Sequence, residues 1–171
     1  MRKGTIRTVL YRRKREGRTD YKGRISLLKS GKVRLVVRKT LRLTSAQLVQ
    51  YSPAGDVVIC AASSKDLKQA GWKYGGKNLS SSYLLGLVLG KKALAKNIKE
   101  AVVDFGLQGT VVGGRLYALV KGCLDAGLAV PCSEVVFPSE DRLQGKHLEG
   151  HVDSAKGITE SFVKIKEKLL S

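Results

Sequence analysis

The chain has 171 residues, the size of one ordinary domain with short tails, and 43% of them are hydrophobic, enough to close a core. Its 32 Lys and Arg against 14 Asp and Glu give a net charge of +18, which predicts a polyanionic partner, with nucleic acid favoured over an anionic membrane surface. The longest apolar run, residues 83–89, is too short to span a bilayer, and the first residues lack the apolar stretch of a secretory signal, so we expect neither a membrane protein nor a secreted one.

The positive charge is concentrated in the first quarter of the chain. Residues 1–45 hold 16 of the Lys and Arg and only two acids, Glu16 and Asp20. Residues 1–32 are therefore predicted to form an extended basic arm, in which the run 11–21 is too charged to pack inside a core. Tyr11 and Tyr21 flank this run and can stack on bases, while its arginines suit phosphates and guanine edges. The pattern predicts an RNA-binding arm.

Three strands are predicted after the arm, which itself has a possible helix near 20–30. They cover residues 33–38, 44–51 and 57–61, and they are joined through a turn with Pro53 and Gly55. Three consecutive strands with short connections form an antiparallel meander. Arg34, Arg38 and Arg42 are expected to mark the sheet face that meets RNA.

The rest of the chain alternates helices with short strands. The predicted elements are helices over 65–70, 80–96 and 115–126, strands at 101–105 and 135–137, a helix that begins after Pro138 and runs through 148, and a charged tail helix over 155–170. This order predicts an α/β fold with a mixed sheet beginning with an antiparallel three-strand meander, helices on both faces, a basic N-terminal arm and a C-terminal helix. The predicted division is an arm over 1–32, an α/β domain over 33–150 and a helical tail over 151–171.

The glycine-rich loop 71–78 nearly fits the phosphate-binding pattern of nucleotide hydrolases. However, Asn78 stands where the pattern has a magnesium-binding hydroxyl, and a charged helix is predicted before the loop instead of a buried strand. We expect Lys73 and Lys77 to meet RNA phosphate and Trp72 to be a stacking candidate. The alternative, an assembly factor or a nucleotide-dependent enzyme that uses this loop, is disfavoured but left open.

No other pattern supports an active site or a cofactor. The three cysteines, Cys60, Cys123 and Cys132, have no metal-ligand spacing and are interpreted as reduced core thiols. His147 and His151 lie four residues apart without a Cys-x-x-Cys pair, and no Gly-x-Ser-x-Gly elbow occurs. We therefore expect no enzyme, no metal and no cofactor.

Four stretches carry a resemblance to a known family. They are residues 11–21, 34–38, 119–128 and 137–148. Together they resemble the universal 5S-rRNA-binding protein family of the large ribosomal subunit, in its archaeal-type form. The loops at 75–78 and 108–114 depart from the usual family pattern.

The resemblance implies a structural role in the central protuberance of the large subunit. Such proteins bind 5S rRNA, help attach it to the large-subunit rRNA, and lie beside neighbouring ribosomal proteins that include a second 5S-rRNA-binding protein. It also implies a ribosome-bound, cytoplasmic location. The predicted RNA-binding residues are Arg2, Lys3, Arg7, Tyr11, Arg12, Arg13, Lys14, Arg15, Arg18, Tyr21, Lys22, Arg24, Arg34, Arg38, Arg42, Trp72, Lys73 and Lys77.

Overall fold

The computed structural model describes residues 9–170, apart from the side chain of Ser154. The strands are β1 (Arg34–Lys39), β2 (Thr44–Gln50), β3 (Val57–Ser63) and β4 (Val102–Asp104). The helices are α1 (Arg12–Arg15), α2 (Tyr21–Lys29), α3 (Leu79–Leu94), α4 (Arg115–Asp125), α5 (Glu140–Gln144), α6 (Lys146–Glu149) and α7 (Ile158–Leu170).

The four strands form one mixed sheet in the order β3-β2-β1-β4. The first three pair antiparallel, so the predicted meander is confirmed. β4 pairs parallel with β1 at the edge opposite β3, and the chain reaches it through α3. A parallel pair needs such a long crossover, which is why the helical period begins where the meander ends.

The main core lies between one face of the sheet and the pair α3–α4. Leu35 and Val37 of β1 and Leu48 of β2 are fully buried on this face. The two helices approach so closely that a Cβ on Gly86 of α3 would lie 2.2 Å from the carbonyl oxygen of Leu119 in α4. Glycine at this crossing therefore sets the distance between the helix axes.

The other face of the sheet carries α2. Arg34 of β1 and Val49 of β2 form a register pair on this face, and both are buried. Arg24 of α2 binds Asp56, the carboxylate that also binds Arg34, so α2 is fixed against the start of β1. The pair α3–α4 thus covers one face, whereas α2 buries none of its own residues and is tied to the other side of the sheet through this ion pair.

The C-terminal helix α7 is part of the core. It buries Ile158, Phe162 and Ile165, which recur at helical spacing along one side. The Phe162 ring packs 5.5 Å from the ring of Tyr83 in α3, and the Tyr83 hydroxyl donates to Asp125 in α4 at 2.6 Å. Three helices therefore meet at Tyr83.

Several predicted elements were wrong, divided or shortened: the strand predicted at 101–105 covers only 102–104, and the tail helix begins at Ile158 instead of 155. The segment predicted as a strand at 135–137 is a 3₁₀ turn, Glu134–Val136, with Val135 exposed. The helix predicted through 148 is divided into α5 and α6 because Gly145 takes a left-handed φ of 84°. The helix predicted over 65–70 is only a 3₁₀ turn, Asp66–Lys68.

Within residues 9–170, no helix is long and apolar enough to cross a membrane.

Candidate nucleic-acid interface

The arm presents exposed cations on a short helix. The four residues of α1, Arg12, Arg13, Lys14 and Arg15, are all basic and exposed. Glu16 is their one acidic neighbour, and it is shared between Arg12 at 3.4 Å and Arg18 at 3.3 Å. The predicted arm is therefore not wholly extended, since one helical turn groups its cations. Exposed pairs of this kind are weak, so the arginines can exchange Glu16 for RNA phosphates.

Two tyrosines connect α1 to α2. The rings of Tyr11 and Tyr21 lie 5.6 Å apart at 42°, and Tyr11 is 75% exposed. Asp20 begins α2 by accepting the backbone N–H groups of Lys22 and Gly23, both at 3.1 Å. The Tyr11 ring thus stays available for a base, at a fixed point beside the cationic turn.

A cleft separates α2 from the turn that follows β4. We call it the α2 cleft, and its volume is about 540 Å³. It is lined by Arg13, Arg18, Thr19, Asp20, Gly23, Arg24, Ser26, Leu27, Arg38, Asp104, Phe105, Gly106 and Leu107. Four of the predicted RNA-binding arginines therefore meet at one place, although they are up to 25 residues apart in the chain.

A buried ion-pair network forms the floor beside this cleft. Arg34 is 2% exposed and binds Asp104 at 3.0 Å and Asp56 at 2.7 Å. Arg38 is 40% exposed and donates to the Asp104 side chain at 3.2 Å and to its carbonyl oxygen at 2.7 Å. Arg34 was expected on an exposed sheet face that meets RNA, but its guanidinium is enclosed by two carboxylates inside the fold.

Two arginines keep the Asp56 carboxylate ionised. Partial burial disfavours the Asp56 carboxylate, but hydrogen bonds and charge from Arg24 and Arg34 outweigh that effect. The pKa of Asp56 is accordingly lowered from its ordinary value. Asp56 therefore stays charged near neutral pH and holds Arg24 beside the cleft. Arg38 is held there by its own ion pair with Asp104.

The loop 71–78 has a structural role that the sequence did not reveal. Trp72 was expected to be a stacking candidate, but its ring is 2% exposed and packs against Tyr74 at 5.2 Å inside the fold. Asn78 caps α3 by accepting the N–H of Ser81 at 2.7 Å. A 3₁₀ turn precedes the loop, in place of the strand that a nucleotide-binding loop follows. Lys73 and Lys77 are exposed, but neither lines the α2 cleft.

The comparisons with known proteins agree with one another. A family model described as "Ribosomal large subunit proteins 60S L5, and 50S L18" matches residues 7–101. The large ribosomal subunit protein uL18 of Methanococcus maripaludis is 43% identical over 162 residues, which are 95% of this chain and 84% of that protein. The uL18 protein of Caldivirga maquilingensis is 47% identical over 159 residues, 92% of this chain and 77% of that protein.

The chain belongs to the L5/L18 family of large-subunit ribosomal proteins. Membership confirms the resemblance found in the sequence. It makes the chain a ribosomal protein, whose partners are rRNA and the ribosome, and not an enzyme.

Within this L5/L18 chain, the remaining predicted residues are distributed unevenly. Lys22 is exposed on α2, and Arg42 is exposed in the β1–β2 turn beside Leu41, away from the strand face on which it was expected. Arg2, Lys3 and Arg7 lie outside the described residues.

The acids that organise the interface were not predicted from the sequence. Asp56 directly follows Gly55 of the predicted turn, and Asp104 lies inside the predicted strand 101–105, and neither was given a role. The available signal was the end of a short strand, where Asp104 is followed by Gly106 with a φ of 59°. Such a turn allows a side chain to reach back to its own backbone, and Gly106 N–H donates to Asp104 Oδ1 at 2.9 Å.

The thiols of this family member lie apart from the interface. Cys60 and Cys123 are buried and Cys132 is half-buried, as free thiols. Burial raises the pKa of the Cys123 thiol well above its ordinary value, so it stays protonated. Among the described residues, no group of three or more His, Cys, Asp or Glu could hold a metal ion.

Proposed function

We propose that this L5/L18 family member is a structural constituent of the large ribosomal subunit that binds 5S rRNA through its arm. In this proposal it helps attach 5S rRNA to the large-subunit rRNA in the central protuberance. It is ribosome-bound in the cytoplasm and lies beside neighbouring ribosomal proteins, one of them a second 5S-rRNA-binding protein.

One observation carries the proposal: the exposed cations of α1 and its flanks have almost no acidic partners. Residues 9–20 include five arginines and lysines besides two acids, and Asp20 is already used to cap α2. Each cation that contacts a phosphate releases condensed counterions, which makes binding strong and salt-dependent. Phosphate contacts then set the register of the protein on the RNA, and stacking at Tyr11 adds contacts to unpaired bases.

The salt dependence of binding tests the role of the arm. We expect the triple variant Arg12→Ala, Arg13→Ala, Arg15→Ala to flatten the slope of log K against log salt by about two to three units, since each phosphate contact contributes roughly 0.7–0.9. The measurement is filter binding to 5S rRNA transcribed in vitro from the Methanococcus maripaludis sequence, over a range of KCl concentrations.

A matched control removes the same charge elsewhere. Lys65→Ala, Lys99→Ala, Lys164→Ala takes three exposed lysines from three places outside the arm. This variant should keep a slope within about one unit of the wild type. Its three lost charges lie outside the arm, so they act on the RNA only through attraction that salt already screens. Equal slopes for the wild type and the arm variant would place the phosphate contacts outside the arm.

A further inference from the structure

We propose that the α2 cleft binds one unpaired nucleotide of the RNA, an inference that rests on the proposed function and gives the arm a point of base recognition. The base lies against the guanidinium of Arg38, and the flanking phosphates meet Arg13 and Arg18. The cleft would thereby distinguish a bulged or looped strand from a regular duplex.

Two arginines at the cleft, Arg13 and Arg18, have few charged partners and can bind phosphate. Arg13 donates to the Thr19 hydroxyl at 2.8 Å and forms no ion pair with any residue between 9 and 170. Arg18 is 67% exposed, and its one ion-pair partner within residues 9–170 is the shared Glu16 at 3.3 Å. These two side chains come from the arm, so an RNA backbone that follows the arm passes the mouth of the cleft.

The two acids of the lining are already occupied. Asp20 Oδ1 accepts two backbone N–H groups at the start of α2. Asp104 is held by Arg34 and Arg38. The carboxylates therefore do not oppose a phosphate as free charges would, and the four lining arginines give the site an excess of positive charge.

Arg38 offers a fixed planar surface inside the cleft. Its Nη1 donates to the carbonyl oxygens of Val37 and Asp104 at 2.8 and 2.7 Å, and its Nη2 donates to Asp104 Oδ1 at 3.2 Å. The backbone of Gly106 lies against the guanidinium, since a Cβ there would be 3.0 Å from Nη2 and 3.1 Å from Cζ. A guanidinium held in this way provides a flat surface on which a base can stack. Because the side chain is already ordered, binding does not cost the entropy of fixing it.

The size and walls of the cleft suit a nucleotide. A volume of about 540 Å³ accommodates a base with its ribose and is within the range of small-ligand pockets. Phe105 and the 57% exposed Leu107 supply an apolar wall, while Thr19 and Ser26 add polar groups. The volume holds one base with its ribose and leaves no room for a paired partner nucleotide, so the ligand is an unpaired nucleotide.

Filling the cleft tests the proposal without removing a charge. Ser26 is an exposed lining residue of α2, and Ser26→Trp places an indole in the cleft. Its matched control is Ile25→Trp, the same new side chain at a neighbouring position that is 54% exposed and does not line the cleft. The probe is 5S rRNA of Methanococcus maripaludis transcribed in vitro, with affinity from filter binding and base accessibility from dimethyl sulfate.

We expect Ser26→Trp to weaken binding about 5- to 100-fold, the effect of losing one base stack, and Ile25→Trp to change it less than about twofold. Wild-type protein and the control should protect an unpaired base from dimethyl sulfate, and Ser26→Trp should expose it again. An unchanged affinity and footprint for a folded Ser26→Trp protein would overturn the cleft proposal and leave the proposed function intact. Wild-type protein that does not bind 5S rRNA would overturn both.

If Ser26→Trp loses its cooperative thermal transition and so does not fold, two double variants test the cleft proposal in its place. Arg13→Ala, Arg18→Ala and Arg12→Ala, Arg15→Ala each remove two exposed arm cations, but only the first pair lines the cleft. Both should flatten the salt slope equally, and only Arg13→Ala, Arg18→Ala should release the protected base. Identical footprints for the two double variants would contradict the proposal.

Discussion

At the residue scale, Asp56 holds two arginines in place, one beside the cleft and one buried. Its side chain is 28% exposed and holds Arg24 at 2.9 Å and the buried Arg34 at 2.7 Å. Without this carboxylate, a buried guanidinium loses one of its two charged partners, and Arg34 Nε already has no hydrogen-bond partner. An arginine left incompletely paired inside a protein is strongly destabilising.

We expect Asp56→Asn to lower the free energy of unfolding by about 2 kcal/mol at pH 7, since a charge-assisted contact to a buried group is lost. The pKa of Asp56 is lowered in the folded state, so its contribution is complete above the ordinary value of 3.8 and is lost as pH falls through the folded value. The difference between wild type and variant should therefore shrink in urea unfolding series taken below about pH 4.

The control for this prediction is the same chemical change at an exposed ion pair. Asp153 is 95% exposed and lies 2.8 Å from Lys156. Asp153→Asn should leave the unfolding midpoint unchanged at both pH values, because exposed pairs contribute little. A pH-independent difference for Asp56→Asn would mean that the carboxylate charge is not what stabilises Arg34.

At the element scale, the crossing of α3 and α4 depends on two glycines. Glycine inside a helix normally lowers its stability, and replacing it with alanine usually gains about 1 kcal/mol. At Gly86 the sign reverses, because the added Cβ would lie 2.2 Å from Leu119 O and 3.0 Å from the Cα of Gly122. We expect Gly86→Ala to lower the free energy of unfolding by about 3 kcal/mol through overpacking, measured by thermal and urea denaturation.

Gly109 is the control for that substitution. It lies in a loop, and a Cβ there would meet nothing within 4 Å. Gly109→Ala should change stability by less than about 1 kcal/mol. Equal effects of the two substitutions would show that the helices separate at little cost and that the crossing is not fixed by Gly86.

The elements also show what the sequence could and could not predict. The strands β1 to β3 and the helix α3 were found near their observed bounds because alternation and helical spacing are local signals. Trp72 and Arg34 were misplaced because burial depends on partners far away in the chain: Arg34 meets Asp104 across 70 residues. A single sequence shows that a residue is cationic or aromatic, but the fold decides whether it reaches solvent.

The α2 cleft could not be predicted from the sequence for the same reason. Its arginines were each predicted to bind RNA, yet their meeting point depends on α2 lying across the cleft from the turn after β4, which no local pattern indicates. Gly106 directly follows the predicted strand 101–105, but its contact with Arg38 depends on the fold and has no local signal.

At the scale of the whole molecule, the two ends of the chain make opposite contributions. Residues 9–18 are all exposed, so among the described residues the first part of the arm adds nothing to the core. In α7, by contrast, Ile158, Phe162 and Ile165 are buried. The exposed cations that we propose bind RNA thus lie on a segment that adds nothing to the core, and the C-terminal helix, though rich in lysine, is a core element.

Two deletions should separate these roles. Removal of residues 1–18 keeps Asp20 to cap α2, and we expect a thermal unfolding midpoint within a few degrees of the wild type but no tight binding to 5S rRNA in filter assays.

Removal of residues 158–171 takes away three large buried apolar side chains, whose burial is worth about 5–9 kcal/mol. This loss is comparable to the whole stability of a domain this size. That protein should lack a cooperative unfolding transition even though it keeps the arm. If the first deletion abolished folding, or the second left it intact, the division between an RNA-binding arm and a body that ends in α7 would be wrong.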